Sequence, residues 1–265
     1  MPANVPAAEP LRPGDAYVQS FARGLSVSRS FSAQAPSQSL SEVAARTGLT
    51  RAGARRILLT LEGLGYVESQ GRQFRLTPKI LDLGFAYLSS LPLWNLAEPV
   101  MEGLVGEIKE SCSAAVLDGT DIVYVLRVPT HKIMSINLGI GSRLPAFCTS
   151  MGRVLLAGLP DEELRARLAA RPLIAHTERT VTDPDAIAEL VLQVRRQGWC
   201  IVDQELEEGL VSLAAPITDR GGRVIAALNI SGQAGRTPPQ TMVADFLPRL
   251  LEAAATISRM LRMKS

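Results

Sequence analysis

The sequence is poor in the residues from which metal centres are built. It contains three cysteines and two histidines in 265 residues. Cys112, Cys148 and Cys200 show no Cys-x-x-Cys spacing, and His131 and His176 are isolated from one another. Because a structural zinc site needs several ligands close together, we expect no bound metal. The cysteines are expected to be small, buried apolar residues.

Long apolar runs are also missing. No stretch of about 18 consecutive apolar residues occurs, so no membrane-spanning helix is expected. The N-terminal segment MPANVPAAEPLRPGDAY is rich in proline and alanine, and it lacks the basic start and apolar run of a signal peptide. We therefore expect a soluble, cytoplasmic protein in which residues 1–15 form a disordered arm.

The net charge of +2 hides an uneven distribution of charged residues. Residues 1–76 contain nine arginines and five acidic residues, whereas residues 77–265 contain 19 basic and 21 acidic residues. The first segment thus carries +4 and the second −2. A basic module on a mildly acidic body fits a protein that contacts phosphates at one end only.

The segment from Ser39 to Lys79 predicts two short helices joined by a tight turn, followed by a β-hairpin. The helices are expected at 39–47 and 50–65, with Gly48 at the turn, where a left-handed backbone is needed. The hairpin, or wing, is expected at 67–76. A helix at 17–32 completes a three-helix unit, and 32–38 is predicted to be a loop.

Arginines at the start of the second helix of such a unit are placed to meet a DNA major groove. Thr50 is a good N-cap for this helix, and the wing adds exposed arginines. The candidate DNA-binding residues are Ser39, Ser41, Thr50, Arg51, Ala52, Arg55, Arg56, Arg72 and Arg75. The alternative is a helical hairpin inside a core, whose arginines only face solvent.

The remainder of the chain mixes hairpins and helices, which indicates an α+β domain with an antiparallel sheet. Pro78 can open a helix at 79–88 that is too apolar for a monomer surface, so we expect it to pack against a second copy. Strands are predicted at 113–117, 122–128, 133–138, 199–202, 210–217 and 224–230, and helices at 96–110, 150–159, 161–168, 183–197 and 238–263. The predicted organisation is an arm at 1–15, a winged helix-turn-helix at 16–77, a linker helix at 78–92 and an effector-binding domain at 93–265.

We find no catalytic constellation in the second domain. Ser150 in CTSMG misses the Gly-x-Ser-x-Gly pattern, and no well-placed histidine supports it. The Gly-x-Gly at 139–141 is too short for dinucleotide binding. The acidic run at 203–208 lacks the ligand spacing of a calcium loop. The expectation is a protein that is not an enzyme and that needs no cofactor.

A ligand pocket is better supported. Thr149 or Ser150 can cap a helix whose free N–H groups would bind a carboxylate, and Gly152 would let the ligand approach closely. Polar residues also lie on the last hairpin, where Asn229 and Ser231 share one face of the sheet. The candidates for ligand contact are Ser212, Asn229 and Ser231, with Arg127, Lys132 and Arg143 as nearby cations. The alternative is that the polar side chains bond to neighbouring backbone and that the cations only face solvent.

Four segments together resemble the IclR family of bacterial transcriptional regulators. They are SFARGLSVSRSF (20–31), LSEVAARTGLTRAGARRILLTLEGLGYV (40–67), GSRLPAFCTSMGRVLLA (141–157) and GWCIVDQELEEGLVSLAAPI (198–217). The resemblance implies a winged helix-turn-helix joined by a linker helix to a GAF-like effector domain. It also implies homodimers, often paired into tetramers, bound at palindromic operators in double-stranded DNA.

The family's effector contacts match particular positions in this sequence. With Arg143 and Gly152 added from the residues themselves, the candidate effector-binding set is Arg143, Ser150, Met151, Gly152, Asp203, Leu210, Ser212, Asn229 and Ser231. Ser212 replaces a cysteine that is common in the family, and Ser150-Met151 replaces smaller residues. Further segments, such as YVQSFARGLSV and LDLGFAYLSSL, resemble the regulators of protocatechuate, 4-hydroxybenzoate and β-ketoadipate catabolism, which implies a small carboxylate effector.

Three other functions stay open at the level of sequence. The protein could be a regulator of the same family that responds to a different organic acid. It could be an enzyme with an appended DNA-binding module, although no catalytic set supports this. It could also be a constitutive repressor whose second domain serves only in assembly.

Overall fold

The computed structural model describes residues 17–89, 93–130 and 138–264. The predicted arm at 1–15 and nearly all of the predicted strand at 133–138 lie outside the described residues. The chain divides into two compact units, Met1–Ser89 and Ser90–Ser265. The finer limits expected from the sequence, with a separate linker at 78–92, stay a prediction.

The first unit is a winged helix-turn-helix, as predicted. Its elements are α1 (Gln19–Ser30), β1 (Ser37–Ser39), α2 (Leu40–Thr47), α3 (Arg51–Gly63), β2 (Val67–Gln70) and β3 (Gln73–Leu76). The strands form one antiparallel sheet in the order β1-β3-β2. The core draws apolar side chains from the three helices and the wing, among them Val27, Val43, Ala44, Ala54, Leu58 and Val67.

Local sequence signals set the helix ends in this unit. Ser39 forms a capping box, in which its hydroxyl accepts from the Glu42 N–H and the Glu42 carboxylate accepts from the Ser39 N–H. Gly48 adopts φ 67°, which ends α2 at the left-handed residue that the motif requires. Thr50 then caps α3 by accepting from the Gly53 N–H. These caps fix the angle at which α3 leaves the turn.

One prediction for this unit is wrong. The sequence predicts a loop at 32–38, but Ser37–Ser39 form β1, which pairs with β3. Gln38 is buried there, and its side-chain amide donates to the carbonyl oxygens of Ser30 and Ala35. Three polar residues carry no strand periodicity, and the strand they pair with lies far along the chain. The pairing of β1 with β3 therefore cannot be predicted from the local sequence.

A connecting helix follows the wing. Pro78–Ile80 form a 3₁₀ turn, and α4 (Leu81–Ser89) continues it as an α-helix. Several of the α4 side chains are apolar and exposed in the single chain, namely Leu81, Leu83, Phe85 and Tyr87.

The second unit is an α+β domain with a six-stranded antiparallel sheet, as predicted. Its elements are α5 (Leu93–Ile108), β4 (Ser111–Asp118), β5 (Asp121–Val128), β6 (Arg143–Pro145), α6 (Ser150–Ala157), α7 (Asp161–Ala169), α8 (Pro184–Gln197), β7 (Cys200–Asp203), β8 (Leu210–Thr218), β9 (Val224–Gln233), α9 (Pro239–Thr241) and, after a π-helical turn at Met242–Phe246, α10 (Leu247–Lys264). The strand order is β6-β5-β4-β9-β8-β7. The short edge strand β6 was not predicted.

Helices cover both faces of this sheet. α5 and α10 pack against one face. The other face meets α6, which packs on α8 and buries every one of its residues. None of the described helices is long and apolar enough to cross a membrane.

The first turn of α6 lies unusually close to the chain that precedes it. A Cβ atom added to Gly152 would stand 2.1 Å from the Ala146 carbonyl oxygen and 2.4 Å from its Cα. Both contacts are with backbone, which cannot move aside as a flexible side chain can. Gly152 is therefore needed for helix packing, whereas the sequence analysis assigned it to close approach of a ligand.

We predict that Gly152→Ala destabilises the protein by about 1–3 kcal/mol or more, because the new methyl group overpacks a site closed by backbone. Chemical unfolding measures this loss. The matched control is Gly103→Ala, an exposed helical position of α5 at which an added Cβ meets nothing within 4 Å. That change should be neutral or stabilise by roughly 0.5–1 kcal/mol. Equal unfolding free energies for the two variants would contradict the assignment.

Candidate nucleic-acid interface and ligand pocket

The exposed face of α3 carries a cluster of cations. Arg51, Arg55 and Arg56 are exposed, and none of them forms an ion pair with another residue that the structure describes. Arg51 and Arg55 are four residues apart and therefore share one helix face, with Ala52 and Arg56 beside them. Guanidinium groups at the start of such a helix suit base edges and phosphates.

Two of the hydroxyl-bearing residues in the predicted DNA interface, Ser39 and Thr50, also cap helices. The oxygens of Ser39 and Thr50 accept the capping hydrogen bonds of α2 and α3, which leaves each hydroxyl hydrogen available as a donor. Ser41 is exposed in the first turn of α2. These residues lie at helix starts, where backbone N–H groups and the helix dipole favour phosphate.

The two wing arginines differ from each other. Arg72 is exposed at the hairpin turn beside Gly71, which adopts φ 65°. Arg75 is also exposed, but its Nε lies 2.6 Å from a carboxylate oxygen of Glu68, its partner across the β2–β3 register. Arg75 is thus partly neutralised. This pair depends on the register of the hairpin and is not evident from the local sequence.

A small cavity lies between the start of α6 and the sheet. Its volume is about 20 Å³, which is room for about one water molecule. Six of the nine predicted effector-binding residues line it, namely Ser150, Met151, Leu210, Ser212, Asn229 and Ser231. The fold therefore brings together residues that are up to 81 positions apart in the sequence.

Hydrogen bonds already join several of these polar groups. The Ser150 hydroxyl donates to the Ser212 hydroxyl oxygen at 2.9 Å. Asn229 accepts from the Ser113 N–H at 3.1 Å and donates to the Ser231 hydroxyl oxygen at 2.9 Å. Asn229 thus does bond to neighbouring backbone, as the alternative expected, yet its side chain also lines the cavity.

The start of α6 supplies hydrogen-bond donors at the cavity. Thr149 Oγ1 accepts from the Gly152 N–H at 3.2 Å. The backbone N–H groups of Ser150 and Met151 make no hydrogen bond within the described ranges. The free donors predicted from sequence are therefore those of Ser150 and Met151. Gly152 has its donor occupied and does not line the cavity.

Arg143 and Asp203 also lie outside the cavity lining. Arg143 is on the edge strand β6, where its guanidinium lies 2.6 Å from Asp118 and 3.4 Å from Asp121. The hydrogen bond that this guanidinium donates to the Asp118 carboxylate raises its pKa. Asp203 is paired with Arg179 at 2.5 Å. Both predicted residues are therefore occupied by partners that the local sequence does not reveal.

The lining also includes residues that the candidate set omitted. Tyr124 and Arg127 reach the cavity from β5, and Leu206 from the acidic loop. Burial raises the pKa of Tyr124 to about 12, so its hydroxyl stays protonated near neutral pH. Cys148 lines the cavity as well, and burial raises the pKa of its thiol to about 12. This thiol is a poor nucleophile.

A larger cleft opens at the surface beside the cavity. Its volume is about 460 Å³, and its rim includes Glu207, Glu208 and Arg236. Arg236 is bound to the buried carboxylate of Glu110 at 2.9 Å. With an acidic rim and its arginine already engaged, this cleft is poorly suited to an anionic ligand.

Comparison with known protein families accounts for both units. The family described as "IclR helix-turn-helix domain" matches residues 20–71. The family described as "Bacterial transcriptional regulator IclR C-terminal" matches residues 85–259. These two matches span the described residues that carry the cation cluster and the cavity.

Individual relatives agree with these family matches. The Pca regulon regulatory protein of Pseudomonas putida is 44% identical over 246 residues, which are 92% of this chain and 84% of the relative. A crystal structure of a regulator from Rhodococcus sp. RHA1 has 50% identity and a TM-score of 0.84, covering 94% of this chain and 100% of that one. An IclR homologue from Microbacterium hydrocarbonoxydans, complexed with 4-hydroxybenzoate, has 28% identity and a TM-score of 0.81, covering 92% and 99%. The chain therefore belongs to the IclR family of bacterial transcriptional regulators.

Proposed function

We propose that this regulator acts in the cytoplasm, binds duplex DNA through its first unit and binds a small organic acid in the cavity of its second unit. The genes it controls would serve aromatic-acid breakdown. The observation that carries the proposal is the cavity itself, in which six predicted effector-binding residues meet. The relative named for the Pca regulon and the structure with 4-hydroxybenzoate support the choice of ligand class.

The chemistry of the cavity suits a carboxylic acid with a second polar group. The free N–H groups of Ser150 and Met151 and the guanidinium of Arg127 can each receive a carboxylate. Hydroxyl groups at Ser212 and Ser231 can bond a hydroxyl or keto group. Protocatechuate, 4-hydroxybenzoate and β-ketoadipate fit this description. A different small acid of the same type is the second candidate.

An enzymatic role is less well supported. Among the described residues, the hydrogen-bond partner of the Ser150 hydroxyl is the hydroxyl of Ser212, which cannot act as a general base. The Cys148 thiol is held protonated by burial. Neither nucleophile is activated, so we propose that the protein binds its acid without converting it.

The cavity has to enlarge when a ligand enters. A volume of about 20 Å³ is far below the space that an aromatic acid needs. Effector binding would therefore select a state in which the cavity walls have moved apart. A ligand that prefers one of two states shifts their populations, and the coupling to DNA binding is typically about 1–3 kcal/mol.

We predict that Arg51, Arg55 and Arg56 dominate DNA binding. Duplexes selected by the protein from a random library supply the operator. Single alanine substitutions should each cost about 1–3 kcal/mol where the arginine reads a base, and specificity should relax at one position. Arg72→Ala should weaken all sequences about equally and lower the salt dependence.

The matched control for these substitutions is Arg165→Ala, an exposed arginine of the second unit. It should leave operator affinity unchanged. The assignment is wrong if the triple variant Arg51→Ala, Arg55→Ala, Arg56→Ala keeps the affinity of the unmodified protein.

We predict a homodimer at least, closed in part by α4. Leu81, Phe85 and their neighbours expose more apolar surface than a stable monomer normally leaves in water. Sedimentation at micromolar concentration should show a dimer or a tetramer, and Leu81→Glu with Phe85→Glu should shift it towards monomer. A two-fold dimer should prefer palindromic sites. A stable monomer with full DNA affinity would refute this.

We predict that at least one of the three acids binds the second unit and changes operator affinity. Calorimetry with each acid, with and without operator, measures both effects, and the coupling must be equal in both directions. Ser231→Ala with Asn229→Ala should weaken acid binding. The control, Gln233→Ala, lies on the same strand but lines the surface cleft and not the cavity. Equal acid affinity in both variants would mean that the binding site lies elsewhere.

A further inference from the structure

Arg127 is a cation of the cavity that has no counter-ion among the described residues. It is half-buried on β5 and lines the cavity. Within the ranges that the structure describes, its guanidinium makes neither a hydrogen bond nor an ion pair. Two other arginines of this unit differ, because Arg143 is held by Asp118 and Arg153 by Glu205. Partial burial of an unpaired charge is costly, and an anion would offset that cost.

An irregularity in the sheet turns Arg127 towards the cavity. Ser113 pairs with Arg127, Ala114 with Leu126 and Ala115 with Tyr124, so β5 has one more residue, Val125, than the facing part of β4. In a regular strand, residues three positions apart point to opposite faces. Because of the bulge, Tyr124 and Arg127 point to the same face of the sheet, although they are three positions apart. Both line the cavity there.

Arg127 and Tyr124 also interact electrostatically. Burial is the larger influence and raises the pKa of Tyr124, while the charge of Arg127 acts in the opposite direction. Both residues line the cavity, so the positive charge of Arg127 lies beside the space that a ligand would occupy. A carboxylate in the same space would meet a full positive charge, which exceeds the partial charge at a helix start.

The polar groups of the cavity are spread across the sheet. Arg127 pairs with Ser113, and Ser113 pairs with Asn229 on its other side. Ser212 lies one strand further, beside Ser231, where it bonds to Ser150. With strands about 4.8 Å apart, the backbone positions of Arg127 on β5 and Ser212 on β8 are separated by three strand spacings.

Given the proposed function, on which this inference rests, we infer that Arg127 binds the effector carboxylate and that the Ser150–Ser212 pair receives the polar group at the other end. The ligand class is then an acid with one carboxylate and a distal hydroxyl, such as a 4-hydroxylated aromatic acid. The start of α6 binds the distal hydroxyl of the ligand. Arg127 makes the site prefer a charged ligand to a neutral one. A guanidinium can bind a carboxylate through two parallel hydrogen bonds.

The test compares each acid with its neutral amide, which has nearly the same shape. Calorimetry with 4-hydroxybenzoate and 4-hydroxybenzamide, and with protocatechuate and its amide, gives an acid-to-amide affinity ratio for each protein. For the unmodified protein, we expect a ratio of about 10- to 100-fold, as for a charge-assisted hydrogen bond. Arg127→Gln should reduce it to about 1, and Arg127→Lys should leave an intermediate value.

Arg165→Gln is the matched control, because this exposed arginine belongs to the same unit but pairs with Asp185 and does not line the cavity. The acid-to-amide affinity ratio of this control variant should equal that of the unmodified protein. Thermal unfolding confirms that each variant is folded, and if Arg127→Gln does not fold, the lysine variant decides. A ratio unchanged by substitution at Arg127 overturns this inference alone. Failure of the unmodified protein to bind any acid overturns the proposed function, and this inference with it.

Discussion

The buried ion pair between Arg153 and Glu205 is the interaction on which the second unit depends. Arg153 lies on α6 with 4% of its side chain exposed, and its Nη2 lies 2.6 Å from a Glu205 oxygen. Arg153 also donates to the Phe147 carbonyl oxygen, and Glu205 accepts from the Val181 N–H. The pair thus fastens α6, the acidic loop after β7 and the segment before α8 to one another. Removing one partner of such a pair costs about 3–5 kcal/mol, because the other charge is left buried.

The same segments frame the ligand cavity, so the ion pair limits how the cavity can open. Met151 is on α6 near Arg153, and Leu206 follows Glu205 directly in the loop. Gly152 holds the first turn of α6 against Ala146, where backbone contacts leave no room to move. Expansion is therefore expected at the side chains of Leu206 and its neighbours rather than at the helix. One side of the cavity, formed by the helix, is then rigid, and the side formed by the loop can adjust to a ligand. This arrangement suits a site whose occupied and empty states differ in free energy by only a few kcal/mol.

Local signals in the sequence predicted most of the fold, and non-local pairing explains what they missed. The caps at Ser39 and Thr50 and the turn at Gly48 are each encoded within four residues, so the helix-turn-helix was predictable. Strand alternation likewise placed Asn229 and Ser231 on one face. By contrast, the partner of Arg143 lies about two dozen residues away, and the orientation of Arg127 depends on one extra residue in its own strand, which only the pairing with β4 reveals. A period-two pattern read along a single strand cannot reveal a bulge, because the bulge is defined by the strand beside it.

The two units use unpaired arginines in physically different ways. Arg51 and Arg55 are exposed and hydrated, so leaving them without a counter-ion costs little, and their attraction to phosphate is screened by salt. Arg127 is half-buried in a small cavity, where water screens less and the same charge acts more strongly on a nearby anion. The surface arginines therefore favour any phosphate backbone and need base contacts to become selective. If Arg127 binds the effector as inferred, it would distinguish a charged ligand from a neutral one by its half-buried environment, which is the selectivity that a sensor of organic acids requires.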